Sequence, residues 1–441
     1  MGRMSVTAQP SLEELAAGSM TIGGPDGILT QDQIRDHIVE SLATLPFDGK
    51  SVALVVPDAT RSVPMHKLLP AVHEALRGRA SRVTVLIALG THAAMTEEQI
   101  GTFLGYEPGE IEATYPGWTV LNHEWWDEEN CFADLGVISA EEVTQYSGGR
   151  LHDVPMHVLV NRHVVENDIA LVVGPVLPHE VVGMSGGNKY FFPGLSGHDV
   201  IDLSHWVGAL ISSYEIIGTL GITPVRALIN AATDRIPSEK YCIAVVTEAG
   251  APELHSVSVG TTVSAWAAAS PIAAASHITY LDTPYKRVLS ILPTMYDDIW
   301  TGAKGFYKME PVIADGGELI IYAPHITEVS VMHPGLRKIG YHNRDYYVRQ
   351  WEKFKDHPWG ELAHSTHLRG MGTFDEVEGE KNRVTVTLAT SIPKEEVEAF
   401  NLKYMDPAEV DIAAMEADPD TLVVHNAGEV LHRLKSDLDR G

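Results

Sequence analysis

Short apolar runs alternate with amphipathic segments along most of the chain. Seven of these runs are rich in β-branched residues and end at turn residues, as is typical of parallel strands buried on both faces. They span residues 52–56, 82–89, 169–173, 241–246, 318–322, 384–388 and 421–424. Three of the intervening segments open with the spacing of a capping box, namely Thr30 with Gln33, Thr96 with Gln99 and Ser139 with Glu142. The alternation of strand and helix predicts an α/β fold with largely parallel sheets.

The length of 441 residues predicts two or three domains. Small residues are concentrated at positions 267–276, which indicates either a boundary between domains or a helix. We place the division after residue 270, so that residues 1–270 form a first α/β domain and residues 271–441 a second one.

The charge balance narrows the classes of partner. The chain has 32 Lys and Arg against 59 Asp and Glu, a net charge of −27, which disfavours nucleic acid and anionic membranes as partners. The longest apolar runs are too short to cross a membrane, and the first residues lack the features of a signal peptide. Cys131 and Cys242 cannot build a disulfide framework. We therefore expect a cytoplasmic protein with reduced cysteines.

Polar side chains follow the first two runs, where ligands bind in parallel sheets. Asp58, Thr60 and Arg61 come directly after the first run, and an arginine here can bind a carboxylate or phosphate through two hydrogen bonds. A helix cap with a surface salt bridge explains the same residues equally well. His92 follows the second run and is either a general base or a hydrogen-bonded structural residue.

A glycine-rich loop at residues 174–194 follows the third run and contains Lys189. The phosphate-binding pattern G-x-x-x-x-G-K-[ST], started at Gly183, fails at Asn188 and at Tyr190, which disfavours a nucleotide triphosphatase. A lysine partly desolvated in such a loop has a lowered pKa and can act as a nucleophile or covalent anchor. A lysine on a surface loop is the simpler alternative. His198 and His205 lie two helical turns apart, about 10 Å, and cannot bind one metal together.

Taken in order, these motifs resemble the nickel-dependent lactate racemase family. The set consists of Asp58-Ala59-Thr60-Arg61, Gly90-Thr91-His92, Pro178-His179, Ser185-Gly186-Gly187-Asn188-Lys189, Pro193-Gly194, His205 and Lys304-Gly305. The resemblance extends from about residue 20 to about residue 430. Each motif is weak alone, whereas the ordered set is specific.

The resemblance implies two α/β domains with an active site in the cleft between them, and a nickel pincer nucleotide as cofactor. This cofactor is a modified pyridinium mononucleotide joined through a thioamide to a lysine, which by motif position is Lys189. One ring carbon, two sulfur atoms and one histidine hold the nickel, and His205 has the position of that histidine. Separate maturation enzymes that make the cofactor are implied as partners.

The resemblance also implies a reaction, the racemisation or epimerisation of a small 2-hydroxy acid at C2. Hydride leaves C2 for the cofactor, a general base takes the hydroxyl proton, and the planar 2-keto acid accepts hydride back on either face. The implied roles are acid/base catalysis by His92 and His179, substrate carboxylate binding by Arg61, support of the carboxylate or keto oxygen by Lys304, orientation of the Arg61 loop or the cofactor by Asp58 and Thr60, and backbone contacts to the cofactor by Ser185, Gly186 and Gly187.

One departure from the family pattern concerns the substrate. Lactate-specific members carry glutamine three residues before the lysine of the lysine–glycine motif, where this chain has Thr301 beside Trp300. Residues 325–367 also hold six of the 21 histidines, at positions 325, 333, 342, 357, 364 and 367. The two readings of this segment are a polar interface and a polar substrate pocket. We expect Thr301 and Trp300 to contact a substrate more polar than lactate, a sugar acid ahead of malate, with lactate itself as the alternative.

Other classes of protein stay open at this stage. A nicotinamide-dependent dehydrogenase also moves hydride, but no G-x-G-x-x-G follows an early strand with an acidic residue about 20 positions later. An enzyme that forms a Schiff base would use Lys189 as well. A binding protein without activity would leave the paired histidines beside an arginine and a lysine unexplained. The sequence leaves the oligomeric state open, with a homodimer as one candidate.

Overall fold

The computed structural model describes residues 10–440, and it has the α/β architecture that the sequence pattern predicts. The larger sheet has seven strands, five of them parallel neighbours and two added antiparallel at one edge. In spatial order its strands are Met20–Gly23, Leu254–Thr261, Glu239–Thr247, Ile169–Pro175, Ser51–Pro57, Arg82–Ala88 and Trp118–Asn122.

Helices cover the larger sheet on both faces, which explains why its central strands are apolar throughout. The strand Ile169–Pro175 is buried at all seven positions, and Ser51–Pro57 is buried at six. We call residues 10–277, which contain this sheet, the first half of the chain, and residues 278–440 the second half. The principal helices of the first half are Gln31–Ala43, Met65–Leu76, Glu97–Leu104, Ala140–Tyr146, His198–Ile211, Pro224–Thr233 and Thr262–His277. All three predicted capping boxes are confirmed.

The second main sheet has five strands, all parallel to their neighbours. In spatial order they are Lys403–Tyr404, Thr385–Thr390, Ile313–Ala323, Tyr285–Ile291 and Thr421–Val424. The longer helices of this half are Arg344–Arg349, Trp359–Arg369, Lys394–Ala399 and Ile412–Ala417, and two short ones, Ile299–Gly302 and Lys304–Tyr307, follow the strand Tyr285–Ile291. Two-stranded pairs complete the fold: Phe132–Ile138 with Met156–Asn161, Pro178–His179 with Gly183–Met184, Ile278–Leu281 with Leu431–Leu434 and Gly372–Asp375 with Gly379–Asn382.

All seven predicted strands are present. The small-residue stretch at 267–276 is helical, because it lies within Thr262–His277. The predicted division after residue 270 falls inside that helix and stays a prediction. None of the described helices has the length and apolarity that crossing a bilayer requires.

Contacts between the two halves of the chain are extensive. The helix Trp359–Arg369 packs against His198–Ile211 of the first half. Beside this contact, the rings of Trp206 and Trp351 stack with centroids 5.4 Å apart, and Gly360 N donates to Asp202 Oδ1 at 2.8 Å. These contacts fix the two walls of the cavity that holds the candidate site.

Leu54 provides a test of the packing that supports this cavity, because it is fully buried in the strand that leads into Asp58. We expect Leu54→Ala to lower the free energy of unfolding by about 2–5 kcal/mol, since it removes buried methyl groups and leaves a void. Chemical denaturation followed by circular dichroism measures the change. Leu220→Ala is the matched control because Leu220 is 42% exposed, and its effect should stay within about 0.5 kcal/mol. Equal effects of the two substitutions would contradict the packing described here.

Candidate active site

A cavity of about 620 Å³ lies between the two halves of the chain, at the carboxyl ends of the first sheet's parallel strands. Its volume is within the range of small-molecule and cofactor pockets. Twelve of the thirteen residues predicted for the site line it: Asp58, Thr60, Arg61, His92, His179, Ser185, Gly186, Lys189, His205, Trp300, Thr301 and Lys304. The thirteenth, Gly187, lies behind the wall, against Trp266.

Asp58 organises the first wall of the cavity. Its carboxylate is buried and accepts hydrogen bonds from Thr60 N at 3.1 Å, Thr60 Oγ1 at 2.6 Å and His92 Nδ1 at 2.5 Å. Burial raises the pKa of Asp58, but the hydrogen bond and charge of His92 and the charge of Arg61 outweigh it, so the pKa lies well below its ordinary value. Because an ionised carboxylate only accepts, His92 carries its proton on Nδ1, and its Nε2 can act as a base.

Arg61 lines the same wall without a carboxylate partner. No ion pair within 4.0 Å joins its guanidinium to an Asp or Glu among residues 10–437, whose side chains the structure describes. A buried guanidinium favours a planar anion that accepts two hydrogen bonds. The arrangement can therefore bind the carboxylate of a ligand.

The glycine-rich loop holds Lys189 at the cavity wall. Gly186 and Gly187 have φ values of +86° and +57°, and a Cβ at Gly187 would come within 2.6 Å of Thr262 O. These two positions therefore require glycine. The amide of Ser185 donates to Leu177 O at 2.8 Å, and the Gly187 amide contacts the Cys242 thiol, so both amides are already engaged.

Arg226 fixes the conformation of this loop from behind. Its side chain is 1% exposed, donates to Gly186 O at 2.9 Å and to Met184 O, and lies 4.3 Å from the centre of the Trp266 ring. Sequence reasoning missed Arg226, because nothing in its helix pattern distinguishes it from a surface arginine.

Lys189 has the properties of a nucleophilic amine. Burial lowers its pKa to about 7, and the charges of Arg61 and Arg226 add to this effect. A substantial fraction of the side chain is therefore neutral near pH 7. A neutral amine can form a covalent bond with an activated carbonyl or thiocarbonyl group.

His205 has the tautomer of a metal ligand. Its Nδ1 lies 2.6 Å from Ile201 O, and since a carbonyl only accepts, the proton is on Nδ1 and the lone pair on Nε2. Burial, with the charge of Lys189, lowers the pKa of His205 to about 4, which keeps the ring neutral. No group of three or more His, Cys, Asp or Glu in the described part of the chain could hold a metal ion. A nickel ion that takes one protein histidine and its other ligands from a cofactor fits this donor set. His198, by contrast, is exposed at the cavity mouth and contacts Trp125.

The second half of the chain supplies two lysines. Lys304 lies 4.7 Å from the centre of the Tyr296 ring, and burial with the charge of Arg61 lowers its pKa to about 7. Lys308 lies one helical turn later, donates to Glu429 O at 2.5 Å, and has a pKa that burial lowers to about 8. Sequence reasoning missed Lys308, although its spacing of four from Lys304 would have placed it on the same side of a helix.

Trp300 and Thr301 both line the cavity, but each offers a ligand fewer contacts than the sequence suggests. Both faces of Trp300 are covered, by His333 with ring centroids 3.6 Å apart and by His364 at 3.9 Å. Only the ring edge is left for a ligand. The hydroxyl of Thr301 donates to Asp298 Oδ1 at 2.9 Å, so it retains only acceptor capacity.

The histidine-rich segment divides between the two interpretations. His333, His364 and His367 line the cavity. The other three do not line it: His325 is hydrogen-bonded to Tyr296 O, His342 to Glu380 and His357 to Glu361. Glu180, directly after His179, also lines the cavity and was missed, although its position beside a predicted acid/base residue was a usable signal.

Comparison with known proteins agrees with the resemblance. A family model described as "Lactate racemase N-terminal domain" matches residues 34–218. Lactate racemase of Thermoanaerobacterium thermosaccharolyticum is 26% identical over 320 residues, which cover 70% of this chain and 68% of that protein. Lactate racemase of Lactiplantibacillus plantarum is 24% identical over 168 residues, 38% of this chain and 35% of that protein.

Two solved structures share the fold. A protein from Thermotoga maritima is 31% identical, with a TM-score of 0.84 over 94% of this chain and 100% of that one. The lactate racemase apoprotein from Thermoanaerobacterium thermosaccharolyticum is 18% identical, with a TM-score of 0.68 over 97% of this chain and 94% of that one. The family model and the relatives agree with the ordered motifs around the cavity, and the chain accordingly belongs to the lactate racemase family of isomerases.

Proposed function

We propose that this enzyme inverts C2 of a 2-hydroxy acid by reversible hydride transfer to a nickel pincer nucleotide bound covalently to Lys189, through a 2-keto acid. Family membership makes the chain a 2-hydroxyacid racemase at the family level and implies a nickel cofactor. The observation that carries the finer proposal is the convergence on one cavity of a lysine with a lowered pKa, a histidine with a free Nε2, two further histidines and an arginine that has no carboxylate partner among residues 10–437.

The residues of the cavity fit the cofactor. The bound cofactor supplies an acceptor that takes hydride from C2 and returns it. Lys189 is the amine that would carry the covalent bond, since its pKa of about 7 leaves it partly neutral. His205 would bind nickel through Nε2, and the hydrogen bond from its Nδ1 to Ile201 O would hold the ring in place.

The remaining residues act on the substrate. Arg61 would bind the carboxylate as a cation enclosed in the cavity wall, and Lys304, which is partly protonated at its pKa of about 7, would support the carboxylate or polarise the oxygen on C2. His92, held by Asp58, would accept the hydroxyl proton for one enantiomer at Nε2. His179 would do the same for the other enantiomer.

The substrate is proposed to be more polar than lactate, a sugar acid ahead of malate. Thr301 is shorter than glutamine, and His333, His364 and His367 bring polar rings to the same wall. A pocket that pairs several hydroxyl groups binds a methyl group poorly, because each buried polar group left unpaired costs about 1–3 kcal/mol. Lactate racemase proper is the alternative. A Schiff-base enzyme is a second one, since the lowered pKa of Lys189 also suits imine formation.

The same proposal covers the setting of the enzyme. We place it in the cytoplasm, with cofactor maturation enzymes as partners that act before catalysis. Residues 1–270 form the domain that carries Lys189, His205 and both acid/base histidines, and residues 271–441 close the cleft over the substrate.

Lys189 should carry the cofactor. After coexpression with maturation enzymes, peptide mass mapping should find the added mass on the peptide that contains Lys189, because its neutral amine is the nucleophile. Lys189→Arg should lack the added mass. Lys304→Arg, a matched change in the same cavity, should retain it. An unmodified Lys189 in active, nickel-containing protein would contradict this assignment.

His92→Ala and His179→Ala should each lower kcat by about 10²–10⁴-fold while nickel is retained, since each removes a positioned acid or base. His205→Ala should instead lose nickel, measured by atomic emission on purified protein. His198→Ala is the control for nickel content, because His198 is exposed at the cavity mouth. Turnover near the wild-type rate in either His92→Ala or His179→Ala would exclude a scheme with two bases.

The holoenzyme should prefer aldonic acids over malate and lactate when exchange at C2 is followed for each substrate. The expected reason is that the polar wall leaves donors and acceptors unpaired against a methyl group. Thr301→Gln should move the preference toward lactate if this position sets the depth of the pocket. The highest kcat/KM for lactate in the wild-type enzyme would refute the polar substrate and leave the racemase assignment intact.

A further inference from the structure

Each of the two proposed acid/base histidines has a carboxylate next to its Nδ1. His92 Nδ1 lies 2.5 Å from Asp58 Oδ2, and His179 Nδ1 lies 3.2 Å from Glu180 Oε2. The side chains of His179 and Glu180 are 12% and 20% exposed, so the contact is largely shielded from water. A carboxylate at one ring nitrogen determines what the other nitrogen can do.

The two pairs differ in one respect. Among the described residues, Asp58 is the only hydrogen-bond partner of His92 Nδ1, whereas His179 Nδ1 also accepts a hydrogen bond from Val181 N at 3.1 Å. An N–H donor at Nδ1 favours the tautomer with the proton on Nε2. In that tautomer Nε2 has no lone pair and cannot take a proton from a substrate hydroxyl.

His179 can act as a base at Nε2 only if Nδ1 carries the proton. That tautomer loses the bond from Val181 and needs an acceptor at Nδ1, and Glu180 Oε2 is the carboxylate oxygen within reach. The ring would then take the substrate hydroxyl proton at Nε2, become an imidazolium whose Nδ1–H is donated to Glu180, and return the Nε2 proton to an oxygen in the reverse direction. No proton is gained or lost overall.

We propose that Glu180 is the positioning residue of His179, whose Nδ1–H it accepts so that Nε2 is free to exchange a proton with the substrate. The inference rests on the proposed function, in which His179 is one of two acid/base groups. It assigns to Glu180 the part that Asp58 has for His92.

The surroundings explain why His179 needs this carboxylate. Burial lowers the pKa of His179 well below its ordinary value, and the charged or protonatable groups that face it lower it further: Lys189, Arg61, His205 and Lys308. Glu180 itself is ionised. Burial raises its pKa, but His367, its own backbone amide and the lysines 189 and 304 outweigh this, and Tyr307 donates a hydrogen bond to the carboxylate.

The test compares Glu180→Gln with Glu180→Asp in the holoenzyme. Gln keeps the size of the side chain but removes the charge, so kcat should fall by about 10²–10⁴-fold, the value of a positioned acid or base, with little change in KM. Asp should restore part of the loss. A role in substrate binding would raise KM instead. Glu166→Gln is the matched control, because Glu166 lies 3.1 Å from His163 Nδ1 outside the cavity, and it should leave kcat unchanged.

A second measurement does not depend on turnover. Nitrogen chemical shifts of ¹⁵N-histidine-labelled holoenzyme report the tautomer of His179, assigned by the signal that His179→Gln removes. The Nδ1–H form should be more populated in the wild type than in Glu180→Gln, and Glu180→Asp should lie between them. Equal populations, or a kcat of Glu180→Gln within about threefold of wild type, would overturn the inference. If the wild-type holoenzyme shows no turnover, the proposed function is refuted. The tautomer populations then still test whether Glu180 accepts the Nδ1–H of His179.

Discussion

The candidate site depends on the way Arg226 holds the glycine-rich loop. A guanidinium that is 1% exposed, with no ion pair to an Asp or Glu in the part of the chain whose side chains are described, donates to the carbonyls of Gly186 and Met184 and stacks on Trp266. Burial of such a charge is costly unless its N–H groups are bonded, and the loop carbonyls accept from Nη1 and Nη2, so the loop and the arginine hold each other in one arrangement. Gly186 and Gly187 let the loop pass close enough to the helix Thr262–His277 for this to happen. These contacts therefore define the backbone conformation from which Lys189 enters the cavity.

The second half of the chain gives this loop its chemical environment. Lys304 and Lys308 bring positive charge to the opposite wall, and Glu429 bridges the walls by accepting from Ser62 Oγ at 2.5 Å and Gly250 N at 2.6 Å. Ser62 directly follows Arg61. Its hydrogen bond to Glu429 therefore ties the Arg61 loop of the first half to Glu429 of the second half. Burial in the cavity wall, with the charge of Arg61, lowers the pKa values of Lys189 and Lys304 to about 7.

The sequence predicts those parts of the structure that local pattern determines. Strands buried on both faces, such as Ile169–Pro175, are apolar throughout and could be found without the structure, and the rule that ligands bind after such strands led to Asp58, Arg61, His92 and Lys189. The strand Tyr285–Ile291 was missed because it starts with three polar or charged residues. Arg226, Lys308 and Glu180 were missed as site residues for another reason. Their roles arise from contacts between distant elements, which periodicity and motif spacing do not encode. The covered faces of Trp300 likewise depend on two histidines from another part of the chain.

The distribution of charge gives the cavity a further property. The chain has a net charge of −27 and carboxylates also line the cavity, yet the Arg61 guanidinium in its wall has no ion pair within 4.0 Å among residues 10–437. An anionic substrate is thus repelled at long range and attracted to Arg61 only once it is within the mouth, where the low dielectric strengthens the attraction. Salt screens the outer repulsion over about 8 Å at physiological ionic strength but screens the attraction to the enclosed Arg61 guanidinium much less. Raising the ionic strength should therefore increase the rate constant for substrate association while weakening the bound complex less. Enzymes that steer substrates by attractive surface charge usually behave in the reverse way, because salt slows their association.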